Sequence, residues 1–170
     1  EEIDQDWCLW RTDVSVNSPN INIFPVPWKI DDNLRSSLNA TNGSRDFIVY
    51  RLGETYLVAA EAMLGRDGNG SAAMEYINAV RERAAFDGME AQMRVSAAEI
   101  DLDFILDEWS RECFGEQSRW LDLKRTGKLI ERVKMYNPDA QNIKDFHVLR
   151  PIPVNQITRT TNDFGQNPGY

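Results

Sequence analysis

Residues 46–136 contain no proline, although the chain carries seven, at positions 19, 25, 27, 138, 151, 153 and 168. Proline removes a backbone donor and clashes with the preceding helical turn, so a stretch this long without one is open to consecutive helices. Its composition agrees, being rich in Ala, Leu, Glu and Arg, which enter helices at little cost. The flanks differ. Residues 1–45 hold three prolines, several asparagines and only short apolar runs such as Ile21-Asn22-Ile23-Phe24. Residues 137–170 regain prolines, so both flanks are expected to be extended and irregular.

Four helices can be phased within the middle stretch. The first, near Phe47 to Leu64, places Val49, Leu52, Tyr56, Ala60 and Met63 on one face, and the run Gly65-Arg66-Asp67-Gly68-Asn69-Gly70 stops it. The second, near Ser71 to Ala85, buries Ala73, Met74, Ile77 and Val80 behind an N-cap at Ser71. The third carries Leu102, Ile105, Leu106, Trp109 and Cys113 as its stripe, with either a Ser96–Glu99 capping box or Asp101 at its start, and Gly115 ends it. The fourth runs from about Ser118 through Leu123, with Leu129, Ile130 and Val133 after Gly127 as its continuation or a short following helix.

Paired helices of this length suggest a helical repeat. Leu52-Gly53-Glu54-Thr55-Tyr56 reproduces the core of a tetratricopeptide unit, in which a glycine admits the partner helix while Leu52 and Tyr56 fill the groove. Ala73, Ile77 and Val80 match the spacing of its second helix. The expected fold class is all-α, with three segments. Residues 1–45 form an extended remainder of a truncated N-terminal part, 46–136 two tetratricopeptide-like hairpins, and 137–170 a tail packed on the helices. Such units bury their faces against neighbours, so two of them normally need more.

Charge and scarce residues narrow the function. With 27 acidic and 19 basic residues in 170, the net charge of -8 opposes phosphate backbones and anionic membranes. No apolar run approaches the ~20 residues that cross a bilayer. His147 is the only histidine, which excludes multi-histidine metal sites, and no metal or cofactor is expected. Cys8 and Cys113 match no CxxC pattern and read as two buried thiols or a single disulfide. The opening Glu1-Glu2-Ile3-Asp4 is neither a signal peptide nor a translation start, and the N-terminus is read as cut.

Two clusters carry chemistry. Glu108, Arg111, Glu112, Glu116, Arg119, Asp122 and Arg125 alternate in sign across the connection between the third and fourth helices, and Arg81 and Arg83 can join them. Each carboxylate has an arginine within helical reach, so the cluster reads as a structural ion-pair network. A glycoside hydrolase using Glu108 and Glu112 is the weaker reading. Trp7, Trp10, Phe24 and Trp28 lie off any helical stripe, among Asp6, Arg11, Asp13 and asparagines. Such loop aromatics either tie a loop onto neighbouring helices or stack on the apolar face of a sugar while polar neighbours bond its hydroxyls.

Several blocks together resemble the C-terminal part of the SusD/RagB family: Asp46 to Leu57 with Ala60-Glu61-Ala62, Asn78 to Ala84, Ile105 to Glu112, Arg119 to Gly127, Leu149-Arg-Pro-Ile-Pro153 and the ending Gln166-Asn-Pro-Gly-Tyr170. They span nearly the whole chain in the family's order. Two departures are visible, Trp109 where the family usually has arginine and Gln117-Ser118 in place of a glycine-containing step. The resemblance implies a cell-surface lipoprotein of the Bacteroidetes outer membrane, helical and not an enzyme. It would capture oligosaccharides or other nutrients for a SusC-like TonB-dependent transporter. It also implies a much longer whole protein, with its lipidated cysteine in an absent N-terminal part and Tyr170 as a genuine end. No ligand residues transfer from the family, so Trp7, Trp10, Phe24 and Trp28 are ligand candidates from chemistry alone. The rival is a tetratricopeptide scaffold that binds a peptide or protein in its groove.

Overall fold

The computed structural model describes residues 32, 34, 36, 37, 40–46, 48–116, 119–162 and 164–170. The chain divides into two units, Glu1–Val49 and Tyr50–Tyr170. Among the described residues there are α-helices and short 3-10 turns and no strand, so the fold is all-α. In the first unit the Asp32 carboxylate closes a loop. It accepts the Ser44 N–H at 2.7 Å, the Leu34 N–H at 3.1 Å and the Ser44 hydroxyl at 3.1 Å. These bonds, led by the Ser44 N–H, hold its pKa below the usual carboxylate value.

The second unit contains α1 (Leu52–Asp67), α2 (Ala73–Arg83), α3 (Glu90–Met93), α4 (Leu102–Glu112), α5 (Arg119–Arg125), α6 (Leu129–Tyr136) and α7 (Val154–Arg159). α1 and α2 form a hairpin, and α4 packs against both. Between them Leu57, Ala60, Ala73, Ile77, Val80, Ile100, Ile105, Trp109 and Cys113 make one buried core. Leu106, Leu123 and Leu129 make a second one, with Trp120, Val133, Ile143 and Val148 packed around it. Each fully buried Leu or Ile contributes ~2 kcal/mol by leaving water.

Several local expectations are corrected. α1 begins at Leu52, not near Phe47, because Arg51 is extended (φ -143°, ψ 161°) and its side chain is drawn towards α4. Val49 and Leu52 are exposed, and Leu57 and Ala60 carry the buried face of α1. α2 begins after Ala72 with no side-chain cap, so Ser71 is not its cap; the Ser71 N–H instead donates to Asn69 Oδ1 at 2.9 Å. Asp101 caps α4 by accepting the Phe104 N–H at 2.7 Å, while Ser96 and Glu99 form a box around a separate 3-10 turn, Ala97–Glu99.

The fourth helix is two helices, α5 and α6, separated at Gly127, whose φ of +73° no β-carbon tolerates easily. The C-terminal tail is not wholly extended. Its prolines start helical turns: Pro138 opens the 3-10 turn Pro138–Ala140 behind an Asn137 cap, and Pro153 precedes α7. A proline breaks a helix only from inside it, and at the first turn its missing donor costs nothing.

Candidate functional site

The residues that link α1, α2 and α4 are charged. Glu112, at the end of α4, sits between two arginines. Arg83 Nη2 donates to both its oxygens, at 2.6 and 2.7 Å, and Arg51 Nη1 bonds Oε1. Arg51 also donates from Nε to Glu116 at 2.8 Å. Burial works against the Arg51 charge, but the bonds to Glu116 and Glu112 outweigh it and its pKa lies above the ordinary value. Gly53 makes room for this cluster, since a β-carbon there would press on the Glu112 carboxylate and lie 2.7 Å from Arg51 Nη1.

One turn earlier on α4, Glu108 Oε2 accepts Arg81 at 2.8 Å and Arg111 at 2.7 Å. Arg81 donates in addition to the Met93 carbonyl at 2.6 Å, and Asn78 clamps the Val95 backbone through both its N–H (2.9 Å) and its carbonyl (3.1 Å). The block from Asn78 to Ala84 thus ties α2 both to α4 and to the segment before it. Asp122 accepts Arg125 at 3.3 Å, and Arg125 reaches across to Glu61 of α1 at 2.7 Å. Arg119 donates to the Leu106 carbonyl at 2.7 Å, and burial lowers its pKa.

A second lattice, which the sequence reading does not single out, joins α4 to α6. Arg132, only 4% exposed, donates to Asp103 Oδ1 at 2.9 Å and bonds Asp107. Lys128 donates to Asp103 Oδ2 at 3.0 Å. Bonds from Lys128 and Arg132 hold the Asp103 pKa below the usual value. Partners 25 to 29 residues apart share no local pattern, so nothing in the sequence points to them.

An acid-base pair needs carboxyl groups that touch the substrate. Glu108 is 5% exposed, and Glu112 spends both oxygens on arginines. Neither is placed for glycoside chemistry. Cys113 is a buried free thiol whose pKa burial pushes up to about 11, which leaves it unreactive. No group of His, Cys, Asp and Glu able to hold a metal ion occurs among the described residues. None of their helices is long and apolar enough to cross a membrane.

The tail builds a concave feature of mixed chemistry. Gln166 reaches back to Ile152, accepting its N–H at 2.7 Å and donating to its carbonyl at 2.9 Å, much as a paired strand would. Asn167 donates to the Arg150 carbonyl and the Tyr170 hydroxyl to the Leu149 carbonyl, both at 2.7 Å. Gly169, at φ +98°, turns the chain so that Tyr170 meets Phe146 edge to face at 5.1 Å. These contacts latch the ending Gln166-Asn-Pro-Gly-Tyr170 onto Leu149-Arg-Pro-Ile-Pro153. They border an open cleft of about 530 Å³ with Trp120, Ile143 and Tyr170 among its apolar walls and Asn142, His147 and Arg150 among its polar lining.

The sequence reading placed its ligand candidates elsewhere. Trp7, Trp10, Phe24 and Trp28 lie outside the described residues. Trp120, in α5, is not among those candidates. Its cleft partners Arg150 and Tyr170 lie far along the chain, so no local pattern marks it.

The family model of the SusD family matches residues 24–170. The chain belongs to the SusD family. A SusD-like protein, P25, of Formosa agariphila is 37% identical over 121 residues, 68% of this chain and 23% of that protein. Another, P2, of the same organism is 30% identical over 168 residues, 94% of this chain and 32% of that protein. The starch-binding protein SusD of Bacteroides thetaiotaomicron is 30% identical over 137 residues, 78% of this chain and 23% of its own length. The chain thus spans a third or less of the relatives it matches. No solved structure matches it significantly.

Proposed function

We propose that this chain is the C-terminal part of a cell-surface protein that captures oligosaccharides without chemical change and passes them to a SusC-like TonB-dependent transporter. The observation that carries the reading is membership of the SusD family together with the likeness to a protein named for starch binding. The site geometry supports it. The cleft offers apolar and aromatic walls with amide, imidazole and guanidinium donors among them, a combination that suits sugar rings and their hydroxyls. The carboxylates a hydrolase would need are committed to arginines.

The whole protein would sit on the outer face of the outer membrane through a lipid anchor elsewhere in its chain. Trp7, Trp10, Phe24 and Trp28 remain candidates for stacking against the glycan, and the network of Arg81, Arg83, Glu108, Glu112, Arg119, Asp122 and Arg125 is assigned to holding the helices together. The test is native electrophoresis of the full-length protein through gels containing starch, xylan, pectin or a sulfated galactan, with reducing ends assayed in parallel. Retardation by at least one polysaccharide without release of reducing ends is expected. Sugar release abolished by Glu112→Gln in a folded protein would overturn the reading.

A further inference from the structure

Arg150, like Arg119 and Arg159, bonds no described carboxylate, and in this acidic chain that sets it apart from most described arginines. Arg51, Arg66, Arg81, Arg83, Arg94, Arg111, Arg125 and Arg132 each bond a carboxylate. No described carboxylate, that of Tyr170 included, forms an ion pair with Arg150. Its guanidinium instead lies over the Trp120 ring, 5.4 Å from the centroid, at the cleft. A guanidinium held on an aromatic face keeps its in-plane N–H donors available, and their fork matches the two oxygens of a carboxylate or sulfate.

The rest of the lining has the same bias. It includes no Asp or Glu side chain, although acidic residues outnumber basic ones 27 to 19 in the chain. His147 Nδ1 accepts the Lys144 N–H at 2.8 Å, which places the ring proton on Nε2 as a further donor. The Asn137 side-chain oxygen accepts the Asp139 N–H at 3.1 Å, so its remaining polar group is the donating amide. The side chains of Arg150, His147 and Asn137 therefore offer donors, around walls apolar enough to pack a sugar ring. A local excess of donors in a cleft with low-dielectric walls selects for negative charge.

We propose that this cleft binds an acidic sugar residue, with its carboxylate or sulfate ester on Arg150 and its ring against the Trp120 and Tyr170 side. The assignment rests on the glycan-binding reading above and adds the charge class of the ligand. A carboxylate and a sulfate ester each present two anionic oxygens on one atom, which the fork can bond together, so both are probed.

The experiment is calorimetric titration of the full-length protein with trigalacturonate, its methyl ester, a sulfated galactose tetrasaccharide and maltotriose. Saturable binding of trigalacturonate or the sulfated sugar is expected, with Arg150→Gln weakening it about tenfold or more and Arg150→Lys by less. Methyl esterification should weaken trigalacturonate comparably. Binding of an acidic probe that Arg150→Gln leaves unchanged overturns the assignment, as does equal binding of the acid and its ester. Affinity for maltotriose alone overturns it too, while leaving the glycan-binding reading standing. If none of these probes binds and no polysaccharide retards the protein in gels, both readings fall. Circular dichroism of Arg150→Gln guards against misfolding, and because the residue is exposed and bonds no carboxylate the fold should be unaffected.

Discussion

Three glycines along the first hairpin allow the packing to be tested by adding one methyl group at a time. Gly65 lies in α1 with open space around its would-be β-carbon. Alanine there should stabilise by about 1 kcal/mol, the ordinary helix-propensity difference. Gly53 lies in the same helix and has the same propensity gain, but its methyl would press on the Glu112 carboxylate and approach Arg51. Glu112 cannot swing aside freely, because Arg83 and Arg51 hold it. Losing one such charged bond costs about 1.5–3 kcal/mol, so Gly53→Ala should be destabilising by roughly 0.5–2 kcal/mol net.

Gly70 is the most restrictive. It is buried, and a β-carbon would run into the Ala97 carbonyl while lying 2.9 Å from Ile100 Cβ and 3.0 Å from the Ile100 carbonyl. Two of those neighbours are backbone atoms with no rotamer to change, so the turn into α2 must move. Overpacking of this kind costs about 1–3 kcal/mol. Thermal melts of the full chain read the series, with about 2–4 °C expected per kcal/mol at this size. The order of melting temperature should be Gly65→Ala, then wild type, then Gly53→Ala, then Gly70→Ala. Equal shifts at Gly65 and Gly70 would refute the close approach of the α1–α2 turn to the Ala97–Ile100 segment.

Other expectations follow from the same contacts. Asn78→Ala removes both bonds to the Val95 backbone and should cost about 1–3 kcal/mol in urea unfolding, with faster amide exchange at Val95. The lowered pKa values of Asp103, Asp67 and Glu99 mean that their contribution is present above the unfolded value, about pH 4, and lost as pH falls through the folded ones. Melting temperature should therefore drop on acidification below about pH 4, and Asp103→Asn should flatten that slope. Cys113 should resist alkylation at pH 8 at a rate limited by unfolding, which mass spectrometry follows. Gln166→Leu should free the latch at Ile152, cost about 1 kcal/mol and raise proteolysis of the tail.

The helical stretch was legible because its information is local. Absence of proline, the stripe of Ile105, Leu106 and Trp109, and the Asp101 cap all act within a few residues of themselves. The errors arose where distant partners decide. Arg51 stays extended because Glu112 and Glu116, some 61 to 65 residues on, take its side chain, so α1 starts at Leu52 and leaves that residue exposed. The tail's prolines suggest extended chain, whereas Pro138 and Pro153 sit where helical turns begin. The cleft escaped notice for the same reason. Trp120, His147, Arg150 and Tyr170 are spread over 51 positions and meet only because Gln166 and Asn167 bond the backbone of residues 150 and 152.

On the proposed function, the protein holds glycans without changing them. The most direct measurement is a glycan array of neutral and acidic oligosaccharides probed with the full-length protein, the captured sugar being eluted and its chain length read by mass spectrometry. Selective capture, with every eluted oligosaccharide at its original length, is the predicted result. Shortened products, or no capture of any oligosaccharide by a folded protein, would contradict it.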